Sequence, residues 1–260
     1  MRIALGIEYD GSHFYGWQMQ RHGTRTVQAA LESALSTVAD HPVQVVCAGR
    51  TDTGVHATGQ VVHFDANVER MEKAWVMGVN AHLPDDVASL WARKVTDDFS
   101  ARFTATARQY RYVISNRKAR PALLSKKVCW RHGNIDVDAM HLAAQVLIGE
   151  QDFSSFRSSA CQAEHARRCI HYVNVSRSGD LIYIDIKANA FLHHMVRNIV
   201  GSLLMVGQGE KPVGWISELL AIKDRTFAGP TATADGLYLV KVSYPDEYNL
   251  PAYVFLPDFS

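Results

Sequence analysis

The stretch Ala48-Gly49-Arg50-Thr51-Asp52-Thr53-Gly54-Val55-His56 brings a guanidinium, a carboxylate and an imidazole together in nine residues, with Gly49 and Gly54 inside it and Gly59 just beyond. A carboxylate can act as nucleophile or general base. If buried, it needs a cationic partner to stay ionised. Arg50, close in sequence, and Arg197, far along the chain, are the candidates. Glycine permits tight or left-handed backbone and close approach of a ligand, and a charged loop carried by rigid elements suits a site. The same residues also suit an ordinary solvated turn. Other chemistries find less support. The chain has no P-loop, no Gly-x-Gly-x-x-Gly after a strand, no His-Glu-x-x-His and no serine elbow, so nothing points to a nucleotide cofactor. His56 with His63, and His193 with His194, invite a metal reading. Yet His193 and His194 fall in a predicted helix, where neighbours face different ways, and His56 and His63 lack a clear third ligand. No metal is expected.

Two short apolar runs, Val43 to Cys47 and Gln60 to Phe64, read as strands and would hold the charged loop between them. Before them, Arg2 to Tyr9 alternates, with Ile3, Leu5, Ile7 and Tyr9 on one face of a half-buried strand, and Asp10-Gly11 signals a turn. Phe14-Tyr15-Gly16-Trp17-Gln18 follows as an aromatic cluster on a loop, read as a core plug in preference to a stacking surface. From Thr26, the positions Val27, Ala30, Leu31, Ala34, Leu35 and Val38 keep helical spacing. A second helix is predicted from Val68 to Leu83, stopped by Pro84, and a strand from Ala88 to Val95.

Beyond Phe103-Thr104-Ala105-Thr106-Ala107, a period-two strand puts Arg108, Tyr110, Tyr112 and Ile114 on one face and Gln109, Arg111 and Val113 on the other. Such a basic, aromatic face suits bases and phosphates, or a sheet with partly buried tyrosines. Val137 to Leu147 reads as a helix with Met140, Ala143, Ala144 and Leu147 inward. A polar loop carries Phe153, Phe156 and Arg157, then Arg167 and Arg168. Ile170 to Ser176 and Leu181 to Ala188 form a hairpin around Ser178-Gly179-Asp180. A strong helix is predicted from Phe191 to Val206, another starts at Pro212, and Leu237 to Ser243 is the last strand. Strands and helices alternate irregularly and with hairpins, which argues an α+β class with a mixed, largely antiparallel sheet.

The 260 residues are 47% apolar, enough for one large domain or two small ones. Four cysteines without a CxxC pair, and no N-terminal apolar segment, predict a reducing cytoplasmic setting without disulfides. No apolar run nears the roughly 20 residues that span a bilayer. The net charge is +1, but its distribution is uneven. Arg102, Arg108, Arg111, Arg117, Lys118, Arg120, Lys126, Lys127 and Arg131 form a segment with no acid, which is the footprint of a polyanion partner.

Four separated motifs closely resemble the tRNA pseudouridine synthase A family. They are Gly16-Trp17-Gln18; Ala48-Gly49-Arg50-Thr51-Asp52 with Gly54-Val55-His56; Phe103-Thr104-Ala105-Thr106-Ala107-Arg108 before Tyr110-Arg111-Tyr112; and Ala188-Asn189-Ala190-Phe191-Leu192-His193-His194-Met195-Val196-Arg197-Asn198-Ile199-Val200-Gly201. The resemblance covers nearly the whole chain, and Thr53 stands where many members have alanine. It implies the pseudouridine synthase fold: two α+β halves akin to RNA-recognition motifs, flanking a central cleft. Residues 1–104 would carry the aspartate loop, and 105–260 the tyrosine strand and the arginine helix. It implies isomerisation of uridine to pseudouridine at positions 38, 39 and 40 of the tRNA anticodon stem-loop, by a homodimer without cofactor. Asp52 takes the place of the nucleophile or base, Arg197 of its cationic partner, and Tyr110 of the tyrosine that packs on the base. Arg50 would fill the place of the flipped base or hold a phosphate, with His56 beside the substrate. Arg102, Arg108, Arg157 and Arg168 would grip the RNA backbone.

Overall fold

A computed structural model describes residues 1–20 and 23–259. In chain order its regular elements are β1 (Arg2–Tyr9), α1 (Val27–Ala39), β2 (Val46–Cys47), β3 (His56–Asp65), α2 (Glu72–Asn80), β4 (Val87–Val95), β5 (Ala107–Asn116), β6 (Cys129–Arg131), α3 (Val137–Ala144), β7 (Gly149–Asp152), β8 (Arg167–Ser178), β9 (Leu181–Ala188), α4 (Met195–Gly207), α5 (Trp215–Ile222) and β10 (Leu237–Ser243). The fold is α+β. It divides into two compact units: Met1–Thr106 with Tyr238–Pro257, and Ala107–Leu237 with the chain end. The last strand therefore packs with the first half of the chain, whereas the expected 1–104 and 105–260 halves assigned it to the second.

In the first unit, β1 lies between β4 and β3, antiparallel to both, and β10 runs parallel to β3 with Tyr238 opposite His56. β2 adds a short antiparallel pairing to β3, Val46 opposite His63. The half-buried reading of β1 is corrected. Ala4 and Gly6, on the face expected to meet solvent, are buried as well. A Cβ on Gly6 would come within 2.1 Å of the Trp91 indole, so that ring closes over the strand. α1 starts as its spacing predicts, with the Thr26 hydroxyl accepting from Ala29 N–H, a favourable N-cap. α2 is shorter than predicted. The chain before it is tied at Asn67, whose N–H donates to His41 Nε2, and Glu72 opens the first turn, where the helix dipole favours an acid.

In the second unit, β5, β9, β8 and β7 follow one another antiparallel, and β6 runs parallel beside β5. The predicted hairpin is present, with β8 longer than expected. α3 packs on β8 and α4. Phe153 and Phe156, expected on a polar loop, are wholly buried. α4 begins four residues later than predicted. Asn189 Oδ1 accepts from the N–H groups of Cys169 and Ala190, which keeps the chain after β9 in a turn. His194 then takes a left-handed conformation, φ 62°, as the residue before the helix.

Candidate functional site

The Asp52 loop is built entirely from first-unit residues. Ala48 N–H donates to Val61 O at 2.8 Å and Gln60 Nε2 donates to Gly49 O at 2.6 Å, so the loop leaves β2 already tied to β3. On its other side lies the segment from Asp10 to Trp17. Trp17 N–H donates to Thr51 O at 3.0 Å and Gly54 N–H to Phe14 O at 3.4 Å. Gly16 has φ +86°, and a Cβ there would lie 2.9 Å from Thr51 O, 3.1 Å from Thr53 N and 3.2 Å from the Asp52 carbonyl carbon. Only glycine combines that φ with that approach. The turn closes on itself through Val55 N–H to Asp52 O, 3.1 Å. Phe14 and Trp17 are buried and plug the core as read from the sequence, whereas Tyr15 between them is 58% exposed. The two buried rings anchor the backbone that clamps the loop.

Two buried groups finish the support. The Tyr9 and Thr51 hydroxyls lie 2.8 Å apart, next to Asp52 in the chain. His56 is 1% exposed, its ring stacked on Tyr238 with centroids 4.6 Å apart. Its Nδ1 is 3.0 Å from Gly11 N and 3.1 Å from Asp10 Oδ1. An unprotonated Nδ1 accepts from Gly11; a protonated one donates to Asp10. Either way the imidazole joins the 10–17 segment to the start of β3. Asp52 itself is half-buried and Arg50 is exposed. Cys47, three residues before Arg50, offers no rival nucleophile: burial pushes its thiol up to about 12, overriding the lowering by Arg50. Arg102, also in this unit, is exposed, its guanidinium 5.0 Å over the Phe103 ring.

The second unit holds the remaining candidates. Tyr110, opposite Ile186 on β9, is 8% exposed and meets the Phe191 ring edge-on, centroids 5.1 Å apart. The strand face as a whole is not a stacking platform. Tyr112 is 0% exposed, its hydroxyl donates to Thr233 O at 2.9 Å, and burial holds its phenol well above the usual range. Ile114 is equally enclosed. The face is core, with Tyr110 at the end nearest Phe191. Arg111 is engaged within the unit. It donates twice to Asp185, at 2.8 Å each, over the Tyr183 ring. Arg108 donates to Asn189 O at 3.0 Å.

The expected helical setting of His193 and His194 is corrected, since both precede α4. Their ring centroids are 4.0 Å apart, which removes the argument that they must face apart. Arg197, in the first turn of α4, donates through Nε to Ala232 O at 2.8 Å, and Ala232 N–H returns to Arg197 O at 3.1 Å. Arg157 holds its own loop, with Nη2 donating to Cys161 O and Ala163 O at 3.0 and 2.6 Å. Arg168 donates to Arg167 O and His165 O, and burial draws its pKa down. Sequence reasoning placed Tyr9 on the inward face of β1 and Asn198 inside the family-like motif without giving either a role, and passed over Thr231; all three support the site candidates.

A family model described as tRNA pseudouridine synthase matches residues 6–104 and 143–245. The chain belongs to the tRNA pseudouridine synthase family. The enzyme is accordingly an isomerase. The matched stretches include the Asp52 loop and Arg197 and leave out residues 105–142, where Tyr110 lies; whole-length relatives match as well. Three of these, all called tRNA pseudouridine synthase A, come from Shewanella amazonensis, Aeromonas salmonicida and Vibrio parahaemolyticus. They are 61%, 60% and 58% identical, each over 99% of this chain and over 100%, 97% and 99% of their own. A solved Cbf5–Nop10–Gar1 complex is similar over 93% of this chain and 59% of that one, at 11% identity and TM-score 0.34, a likeness too weak to bear on the fold.

Proposed function

We propose that this tRNA pseudouridine synthase isomerises uridine at positions 38, 39 and 40 of the tRNA anticodon stem-loop, with Asp52 as the nucleophile or base. The observation that carries the assignment of Asp52 is the double clamp on its loop, which presents a half-buried carboxylate on a backbone fixed from β3 and from the Gly16 segment. A base inside a stem is out of reach, so the target nucleotide leaves the stack first. Asp52 then starts cleavage of the C1′–N1 bond. The freed uracil turns, C5 bonds to C1′, and the C5 proton departs. The reaction is redox-neutral and calls for no cofactor or metal. Arg197 keeps the aspartate ionised, since an unpaired carboxylate in a closed site takes up a proton. Tyr110 packs against the base. Arg50 occupies the vacated place or a phosphate. His56 acts from beneath, holding the loop. Arg102, Arg108, Arg157 and Arg168 with the exposed basic segment grip the RNA backbone. The enzyme works as a cytoplasmic homodimer, a state that sedimentation at working concentration tests.

Tritium release from tRNA labelled at uridine C5 tests the reaction and its central residue together, because the C5 hydrogen must leave. Wild type should release tritium, and Asp52→Ala should bind tRNA but release none. Release by both removes Asp52 from its role. Release by neither, with tRNA still bound, leaves an RNA-binding protein without this activity. Arg197→Ala should also be inactive while folded.

A further inference from the structure

The second unit contains a hydrogen-bonded device immediately behind Arg197. Asn198, the next residue on α4, is 1% exposed, and its amide is used at both ends. Nδ2 donates to Phe156 O at 2.8 Å. Oδ1 accepts from the Thr231 hydroxyl at 2.6 Å and from Arg225 Nη2 at 3.1 Å. The same Arg225 Nη2 also donates to Thr231 Oγ1 at 3.1 Å, so the threonine passes its proton one way and accepts from the other. One turn on, Ser202 Oγ donates to Asn198 O and accepts from Gly229 N–H, 2.9 and 3.0 Å. The segment from Arg225 to Ala232 is thereby laid along α4. The approach is close enough that a Cβ on Gly201 would stand 1.7 Å from Pro230 O.

This segment ends at Ala232, whose carbonyl receives Arg197 Nε and whose N–H returns to Arg197 O. An arginine side chain is long and rotamer-rich, so its fork is aimed only when something fixes it. Fixing Nε on a rigid carbonyl sets the plane of the planar fork, and with it the directions of the terminal N–H groups. The neighbours pair in register: Asn198 holds Thr231 while Arg197 holds Ala232.

We propose that Asn198 and Thr231 are positioning residues for the isomerisation, acting through the Arg225–Ala232 segment to aim the Arg197 guanidinium. The inference rests on the reading that Arg197 works in turnover. Thr231 is exposed, so changing it separates aim from folding. Steady-state tritium release is measured for Thr231→Val, which keeps the shape and loses the hydroxyl, for Thr231→Ser, which keeps the hydroxyl, and for Arg197→Ala. Thr231→Val, which loses the bond to Asn198 Oδ1 and the one from Arg225 Nη2, should lower kcat at least about fivefold. Its KM for tRNA should stay within about twofold, and Thr231→Ser should behave as wild type. A wild-type kcat in Thr231→Val, an equal loss in Thr231→Ser, or a loss confined to KM overturns the proposal, the last because it would mean that the segment touches RNA instead. If Thr231→Val is unaffected while Arg197→Ala is inactive, only the aiming device falls. If Arg197→Ala turns over at the wild-type rate, the role of Arg197 falls first and the device with it.

Discussion

At the scale of single residues, Asp52 is held in place by what clamps its neighbours. Thr51 is held through its carbonyl by Trp17 and through its hydroxyl by Tyr9. Gly16 makes room for the turn by lacking a Cβ. Gly16→Ala therefore adds a methyl group against three backbone atoms at a φ that costs an alanine about 1–2 kcal/mol. The segment must retreat, and small displacements of a reacting group are expensive: about 1 Å can lower turnover 100-fold. Gly16→Ala should stay folded by circular dichroism, melt a few degrees lower, and release tritium at least about tenfold more slowly than wild type at saturating tRNA. A wild-type rate would mean that the loop keeps its geometry without the clamp.

At the scale of elements, β3 joins the site to the core. Its first residue, His56, supports the Asp52 loop, and His63, seven positions later, receives the Ala101 N–H on Nδ1 at 3.0 Å and meets the Phe99 ring edge-on. Burial, helped by the charge of Arg2, holds the His63 imidazole below its ordinary range. A histidine whose folded pKa is depressed stabilises fully above its unfolded value, near 6.5. That stability is lost as pH falls below this value, because the unfolded chain takes up the proton first. Protonation at Nδ1 also ends its bond from Ala101. The melting temperature of wild type should fall between about pH 7 and pH 5, and the fall should be a few degrees smaller in His63→Gln, which cannot titrate but can still accept the amide. Equal slopes in the two proteins would show that His63 does not govern acid stability.

At the scale of the whole molecule, a near-neutral chain conceals a basic segment. Between β5 and β6, Arg117, Lys118 and Arg120 are exposed, whereas Arg111, in the same run, is spent on Asp185. The residue count of the segment therefore overstates the charge it offers to RNA. Binding that neutralises phosphates releases counterions, and each contact adds about 0.7–0.9 to the slope of log K against log salt. Replacing Arg117, Lys118 and Arg120 with alanine should weaken tRNA binding and reduce that slope by about 2–3, as read by filter binding across a salt series. An unchanged slope would place the RNA elsewhere.

How much of this was legible beforehand follows from the range of the forces involved. Local patterns determined the local elements: α1 from its apolar spacing and Thr26 cap, β4, β5 and β10 from short β-rich runs, and the hairpin from Ser178-Gly179-Asp180. The motifs around Asp52 and Arg197 were sufficient for the family, because each is a run of adjacent residues. Tertiary structure alone decided what depends on partners distant in sequence. It buried both faces of β1, since Trp91 comes from β4, and it turned the Tyr112 face into core, since Thr233 lies 121 positions away. It ended α4 short of His193 and His194, because Asn189 is held by Cys169 across the hairpin. Nor did any sequence pattern give Tyr9, Asn198 or Thr231 its hydrogen-bonding role. Their role is to satisfy buried polar groups, and which groups are buried is settled only when the chain has folded.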